Sequence, residues 1–60
     1  MASDLIGQRV EYVGSVVPRL IGEKGRVVGI SRNGWAEVDF DFSKIGPLKV
    51  APDNLRAVEE

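Results

Sequence analysis

The sequence contains no cysteine and no histidine among its 60 residues. These absences exclude disulfide bonds, zinc sites built from the usual cysteine and histidine ligands, and the most common acid–base side chain. The serines have no histidine to activate them as nucleophiles; they stand at Ser3, Ser15, Ser31 and Ser43. We therefore expect a protein that is not an enzyme and that uses neither a cofactor nor a metal ion.

The chain also lacks a marked charge of either sign and any long apolar run. Eight basic residues against nine acidic ones give a net charge of −1, so the broad basic surface of a nucleic-acid-binding domain is not expected. No run has the length of a membrane-spanning helix, and the opening MASDLIGQRV lacks the pattern of a secretory signal. We expect one cytoplasmic domain over residues 1–60, without membrane association and with residues 1–6 and 59–60 frayed.

Alternation of apolar and polar residues is the dominant pattern. It predicts five short strands, over Gln8–Val13, Gly25–Ile30, Trp35–Phe42, Leu48–Ala51 and Leu55–Val58. A long loop, Gly14–Gly25, follows the first strand, and the proline of Pro52–Leu55 favours one 3-10 turn before the last strand. Together these elements describe an all-β fold, a five-stranded SH3-like barrel that is partly open.

The dipeptide Asn33-Gly34 predicts a two-residue type I′ hairpin between the second and third strands. The register that follows pairs Val28 with Asp39 and leaves Val28 and Ile30 on the solvent face. The predicted core is Val10, Tyr12, Val27, Ala36, Val38, Phe40, Val50, Leu55 and Val58, with Leu20 or Ile21 from the long loop.

Two patterns that suggest a site have simpler structural interpretations. Gly22 and Gly25 are spaced as in a phosphate-binding loop, but no Gly-Lys-Ser/Thr ending and no helix follow. We interpret both as glycines that permit positive φ at the start of the second strand. The carboxylates of Glu37, Asp39 and Asp41 could hold a cation, but no further ligands accompany them, and we interpret them as a solvated strand face.

The run GQRVEYVG…LIGEKGRVVGI…GWAEVDFD resembles the KOW-type branch of SH3-like barrels, with Gly22, Gly25, Val27 and Ile30 at the matching positions. The ending VAPDNLRAVEE is similar to the close of small barrels that accompany electron-transfer complexes, and small bacterial and phage SH3-like domains look similar as well. The KOW resemblance implies contact with ribosomal RNA, RNA polymerase or associated proteins. The likeness concerns fold far more than function, since one fold serves many functions.

Trp35 is the only tryptophan in the chain and stands beside Arg32 on the predicted solvent face. Aromatic and arginine side chains are frequent anchors of protein interfaces, whereas a cation–π contact between the two would be a purely structural role. Aliphatic side chains on the same face are hard to explain in an isolated barrel. We therefore expect a protein partner, bound by Trp35, Arg32, Val28 and Ile30 of the hairpin with Arg19, Leu20 and Ile21 of the long loop.

Two alternatives remain open at the level of sequence. One is an RNA or transcription-machinery binder of the KOW kind, in which Arg19, Lys24 and Lys44 contact phosphates while Tyr12 or Trp35 stacks on bases. The overall negative charge weighs against it. The other is a structural homo-oligomer, for instance a homodimer, that buries the exposed aliphatic side chains against a second copy.

Overall fold

The structure is a computed structural model that describes residues 2–58, with the side chains of residues 2 and 3 left out of the description. Five strands are present: β1 (Arg9–Tyr12), β2 (Lys24–Ile30), β3 (Ala36–Phe40), β4 (Leu48–Val50) and β5 (Leu55–Ala57). Short 3-10 helices span Ala2–Leu5, Pro18–Leu20 and Pro52–Asn54. Within residues 2–58 there is no α-helix.

The five strands form one open antiparallel sheet in the order β4-β3-β2-β1-β5. A 3-10 turn precedes the last strand, as the sequence predicts, because Pro52 begins it and the amide of Leu55 closes it on the Pro52 carbonyl. The predicted all-β fold is confirmed, and the arrangement is compatible with an SH3-like barrel. Residues 1–6 were expected to fray; Ala2–Leu5 of that segment form the first 3-10 helix, and Leu5 packs against the core. Met1, Glu59 and Glu60 lie outside the described residues.

The core lies on one face of the sheet and follows the alternation of the strands. Its buried members are Val10, Tyr12, Leu20, Val27, Ala36, Val38, Phe40 and Val50, all of them predicted. Leu20 supplies the contribution from the long loop, whereas Ile21 is exposed. Leu55 is half-buried against the core and Val58 is half-buried beyond the end of β5. Burial of one side chain the size of leucine contributes about 1.5–3 kcal/mol.

The hairpin between β2 and β3 differs from the prediction. Its loop has three residues, because the amide of Ser31 donates to the Trp35 carbonyl at 2.8 Å and the amide of Gly34 to the Ser31 carbonyl at 3.0 Å. Gly34 has a φ of 87° and Asn33 does not have a positive φ. This is the geometry of a type I turn followed by a left-handed residue, so the predicted type I′ turn is wrong.

The pairing register is wrong for the same reason. Val27 lies opposite Val38, and Ile30 lies opposite Ala36, with a bulge between Val27 and Gly29. An extra residue in one strand changes which face the following side chains occupy. Ile30 therefore shares the face of Ala36 and packs against the core, whereas the sequence placed it on the solvent face.

Gly25 is required by a close approach of two strands. A Cβ at this position would lie 2.6–2.9 Å from backbone atoms of Asp39 and Phe40. Backbone atoms cannot move aside as a flexible side chain can, so any larger residue strains the β2–β3 pairing. The structural interpretation of this glycine holds, but its reason is steric; positive φ applies to Gly22, at 83°.

Replacement of Gly25 by alanine is therefore expected to lower the free energy of unfolding by about 1–3 kcal/mol, the usual cost of overpacking. A domain of this size has a total stability of about 3–9 kcal/mol. Gly29→Ala is the matched control, because a Cβ there would meet only the tip of the Glu37 side chain, at 2.6 Å. We expect the control to stay within about 1 kcal/mol of the wild type. Urea denaturation measures both values, and equal losses would contradict the steric explanation.

Candidate binding grooves

The first candidate site is an apolar groove between the long loop and the sheet, here called the Trp35 groove. It has a volume of about 200 Å³. One wall comes from the long loop, and the other comes from Trp35 just before β3, from β4 and from the 3-10 turn that follows β4. The lining residues are Tyr12, Val16, Val17, Leu20, Trp35, Lys49, Val50, Ala51 and Asn54. Large apolar side chains remain accessible here, with Trp35 44% and Val16 78% exposed.

Trp35 is held in place by the turn that precedes it. Its amide nitrogen lies 3.1 Å from the Ser31 hydroxyl and 3.4 Å from the Asn33 side-chain oxygen, and the same hydroxyl donates to that oxygen. Serine and asparagine side chains commonly fold back on the backbone in this way. The three-residue turn therefore fixes the backbone from which the indole enters the groove.

Tyr12 connects the core to the long loop. Its ring is buried at 2% exposure, and its hydroxyl accepts a hydrogen bond from the Val17 amide at 3.2 Å. The following residues make a 3-10 turn, with the Leu20 amide donating to the Val17 carbonyl at 2.9 Å. The loop is thus fixed at Val17 by a side chain from β1 and at Leu20 by the core.

A second groove, here called the Phe42 groove, lies on the other side of Leu20. It has a volume of about 300 Å³ and is lined by Val17, Arg19, Leu20, Phe42, Ser43, Ile45 and Leu48. Phe42 packs against the buried Phe40 with ring centroids 5.8 Å apart, which is within the normal range for aromatic pairs. Ile45 is 87% exposed, the highest value among the large apolar side chains described.

The structure brings together only part of the predicted protein-binding surface. Trp35 and Leu20 meet in the Trp35 groove, and Arg19 lines the Phe42 groove. Val28 is exposed at the bulge and Arg32 is exposed in the turn, but neither lines a groove. The remaining candidates, Ile30 and Ile21, line neither groove either.

The residues predicted for RNA binding are separated. Arg19 lies at the Phe42 groove, and Lys44 stands between two residues of that groove. Lys24 lies on the outer face of β2, opposite Glu11 of β1. Tyr12 cannot stack on a base because its ring is buried in the core, so that part of the expectation is wrong.

Several groove residues were not selected from the sequence, chiefly Lys49, Ala51 and Asn54. They lie in or just after β4, at a distance along the chain from the long loop they face. The amide of Val13 donates to the Asn54 carbonyl at 2.7 Å, which joins the loop to the 3-10 turn. No pattern in the sequence indicated that this segment faces the long loop.

The outer face of the sheet carries the carboxylates, as expected, and pairs them across strands. Arg9 donates two hydrogen bonds to Asp41, at 2.9 and 2.8 Å, and Arg56 donates one to Glu11 at 2.6 Å. The hydrogen bond from Arg9, with the charges of Arg9 and then Arg26, lowers the pKa of Asp41 below its ordinary value. The hydrogen bond from Arg56 does the same for the pKa of Glu11. This face is a solvated network of charges.

No group of three or more potential metal ligands occurs among the described residues. In the same part of the chain, no helix has the length and apolar character needed to cross a membrane. No protein-family model, curated protein or solved structure matches this chain. The KOW-type and electron-transfer functions implied by the sequence resemblance therefore receive no support from relatives.

The hydroxyl of Tyr12 is expected to stabilise the long loop. Tyr12→Phe keeps the buried ring but leaves the Val17 amide without its acceptor, which costs about 0.5–1.5 kcal/mol. Amide hydrogen exchange at Val17 should become faster. The Val27 amide, which donates to the Gln8 carbonyl away from the long loop, serves as the internal control and should change less. Unchanged exchange at Val17 would show that the loop does not depend on this bond.

Stability should fall in acid partly through Asp41. Because its folded pKa is below the unfolded value, the pair with Arg9 stabilises the fold above about pH 4 and is lost as the pH falls through the folded pKa. Asp41→Asn should destabilise the protein at neutral pH and make its stability less dependent on pH in that acid range. Thermal melts over a pH series measure this. Added salt should shrink the difference between the two proteins, because the pair is exposed; a pH dependence unchanged by the substitution would exclude this role.

Proposed function

We propose that this chain is a non-enzymatic SH3-like binding domain that acts through protein–protein interaction, with a segment of the partner protein held in the Trp35 groove. The observation that carries the proposal is the accessible Trp35 in a concave, largely apolar surface. Binding sites in proteins are typically concave and apolar, with a few polar groups that set orientation. Lys49 and Asn54 supply such groups here.

The arrangement around Trp35 favours a flexible polypeptide as the ligand. Turn hydrogen bonds fix its backbone, and the wall opposite is anchored by Leu20 and by the Tyr12 hydroxyl. A preformed site loses less conformational entropy on binding than one that must be ordered. Large aromatic side chains in such sites are the residues that most often dominate binding energy.

RNA fits this surface less well. The groove has one basic side chain and an apolar lining, whereas phosphate contacts need several basic groups along the path of the backbone. Lys24 lies on the outer face among carboxylates, and the ring of Tyr12 is covered. We therefore treat RNA binding and self-association as outcomes to be tested against the proposal.

The proposal is tested by panning a displayed library of random peptides on the immobilised chain. We expect selected peptides to lose about 30-fold or more in affinity for Trp35→Ala, the effect of removing an interface hot spot. Val28→Ala is the control, because Val28 is similarly exposed, at 48%, and lines neither groove. Trp35 fluorescence reports binding directly, since the chain has one tryptophan.

Equal losses for the two variants would move the binding surface to the hairpin face. Failure to select any peptide, together with RNA binding that weakens steeply with salt, would replace the proposal with the RNA alternative. A dimer in sedimentation that Trp35→Ala dissociates would show instead that a second copy fills the groove. Circular dichroism of each variant establishes that the fold is intact.

A further inference from the structure

The two grooves form one strip along β4 and the long loop. Val17 and Leu20 line both of them, and the consecutive residues of β4 are divided between them, Leu48 on one side and Lys49 with Val50 on the other. β4 is an edge strand, with β3 as its only neighbour in the sheet. A single extended segment lying along this edge could therefore contact both grooves.

All charge on this strip has one sign. Arg19 is the charged lining residue of the Phe42 groove and Lys49 that of the Trp35 groove, and no described lining residue is acidic. Neither cation has an ion pair or a side-chain hydrogen bond within residues 2–58. Asp41 and Glu11 lie on the outer face, where each is paired with an arginine.

Glu37 is the carboxylate directly opposite Lys49 in the pairing of β3 with β4. Its side chain points the other way. A Cβ on Gly29 of β2 would lie 2.6 Å from the Glu37 Oε1 atom, so the carboxylate lies above β2 and not above β4. The absence of a side chain at Gly29 leaves room for this orientation, and Glu37 and Lys49 form no ion pair with each other.

From this charge distribution we infer that the partner segment is acidic as well as apolar, with carboxylates that meet Lys49 and Arg19 while its apolar side chains fill the two grooves. The inference rests on the proposed function and adds the chemical class of the ligand. Complementary charge sets orientation and speeds association, while the apolar contacts with Trp35 and Phe42 supply most of the affinity. The net charge of −1 does not show this preference, because the acidic residues of the described chain are not among the residues that line the strip.

The test uses the displayed random-peptide library, panned on the wild-type chain, followed by affinity measurements on the selected peptides. We expect them to be enriched in aspartate and glutamate next to apolar residues. Lys49→Glu and Arg19→Glu should each weaken binding about tenfold, since each replaces an attraction by a repulsion. Arg32→Glu makes the same change of charge in the exposed turn outside both grooves, and it should leave affinity unchanged.

A double variant, Arg19→Glu with Lys49→Glu, should select peptides enriched in lysine and arginine when panned in parallel. Peptides that depend on Trp35 but show no acidic enrichment, or that bind the charge variants as well as the wild type, would overturn the inference and leave the proposed function standing. A library that yields no binder on any variant would overturn both. A thermal melt of each charge variant confirms that loss of binding is not loss of fold.

Discussion

The burial of Leu20 is the contact on which the arrangement of this protein depends. A chain of 60 residues buries a small core, and Leu20 is the residue through which the long loop joins it. The same side chain lines both grooves, so its position in the core sets how far the loop stands from β4. Folding and the shape of the candidate binding surface are therefore coupled through one side chain, and the two cannot vary independently.

Strand positions and core residues followed from the sequence because alternation reports directly which side chains face inward. The pairing register could not be predicted in the same way. The dipeptide Asn33-Gly34 is compatible both with a two-residue turn and with a three-residue turn that ends in glycine. One additional residue in the turn and one bulge then moved Ile30 from the solvent face to the core side. A local sequence pattern does not show such changes of register, because they are decided by the packing of side chains across strands.

The candidate site was only partly predictable for a related reason. Trp35 was selected from the sequence because it is the only tryptophan. It remains a candidate binding residue, but it lines the Trp35 groove beside the long loop. Lys49 carried no signal, since a lysine on an alternating strand is an ordinary solvent residue. Two features of the fold make Lys49 a candidate binding residue. Lys49 lines the Trp35 groove, and the side chain of Glu37 is directed toward Gly29. Both require the strand order before they can be seen.

The strip along β4 also bears on self-association, because it exposes apolar side chains such as Trp35 and Ile45. In a two-fold dimer the same patch of each copy meets its counterpart, so like charges come together. Two copies joined through this strip would bring Lys49 and Arg19 of one copy near those of the other, with no acidic lining residue between them in the described chain. A short, charged edge strand also discourages continuation of the sheet from one molecule to the next. The basic groups of the strip thus oppose self-association at the very surface where apolar area would otherwise promote it.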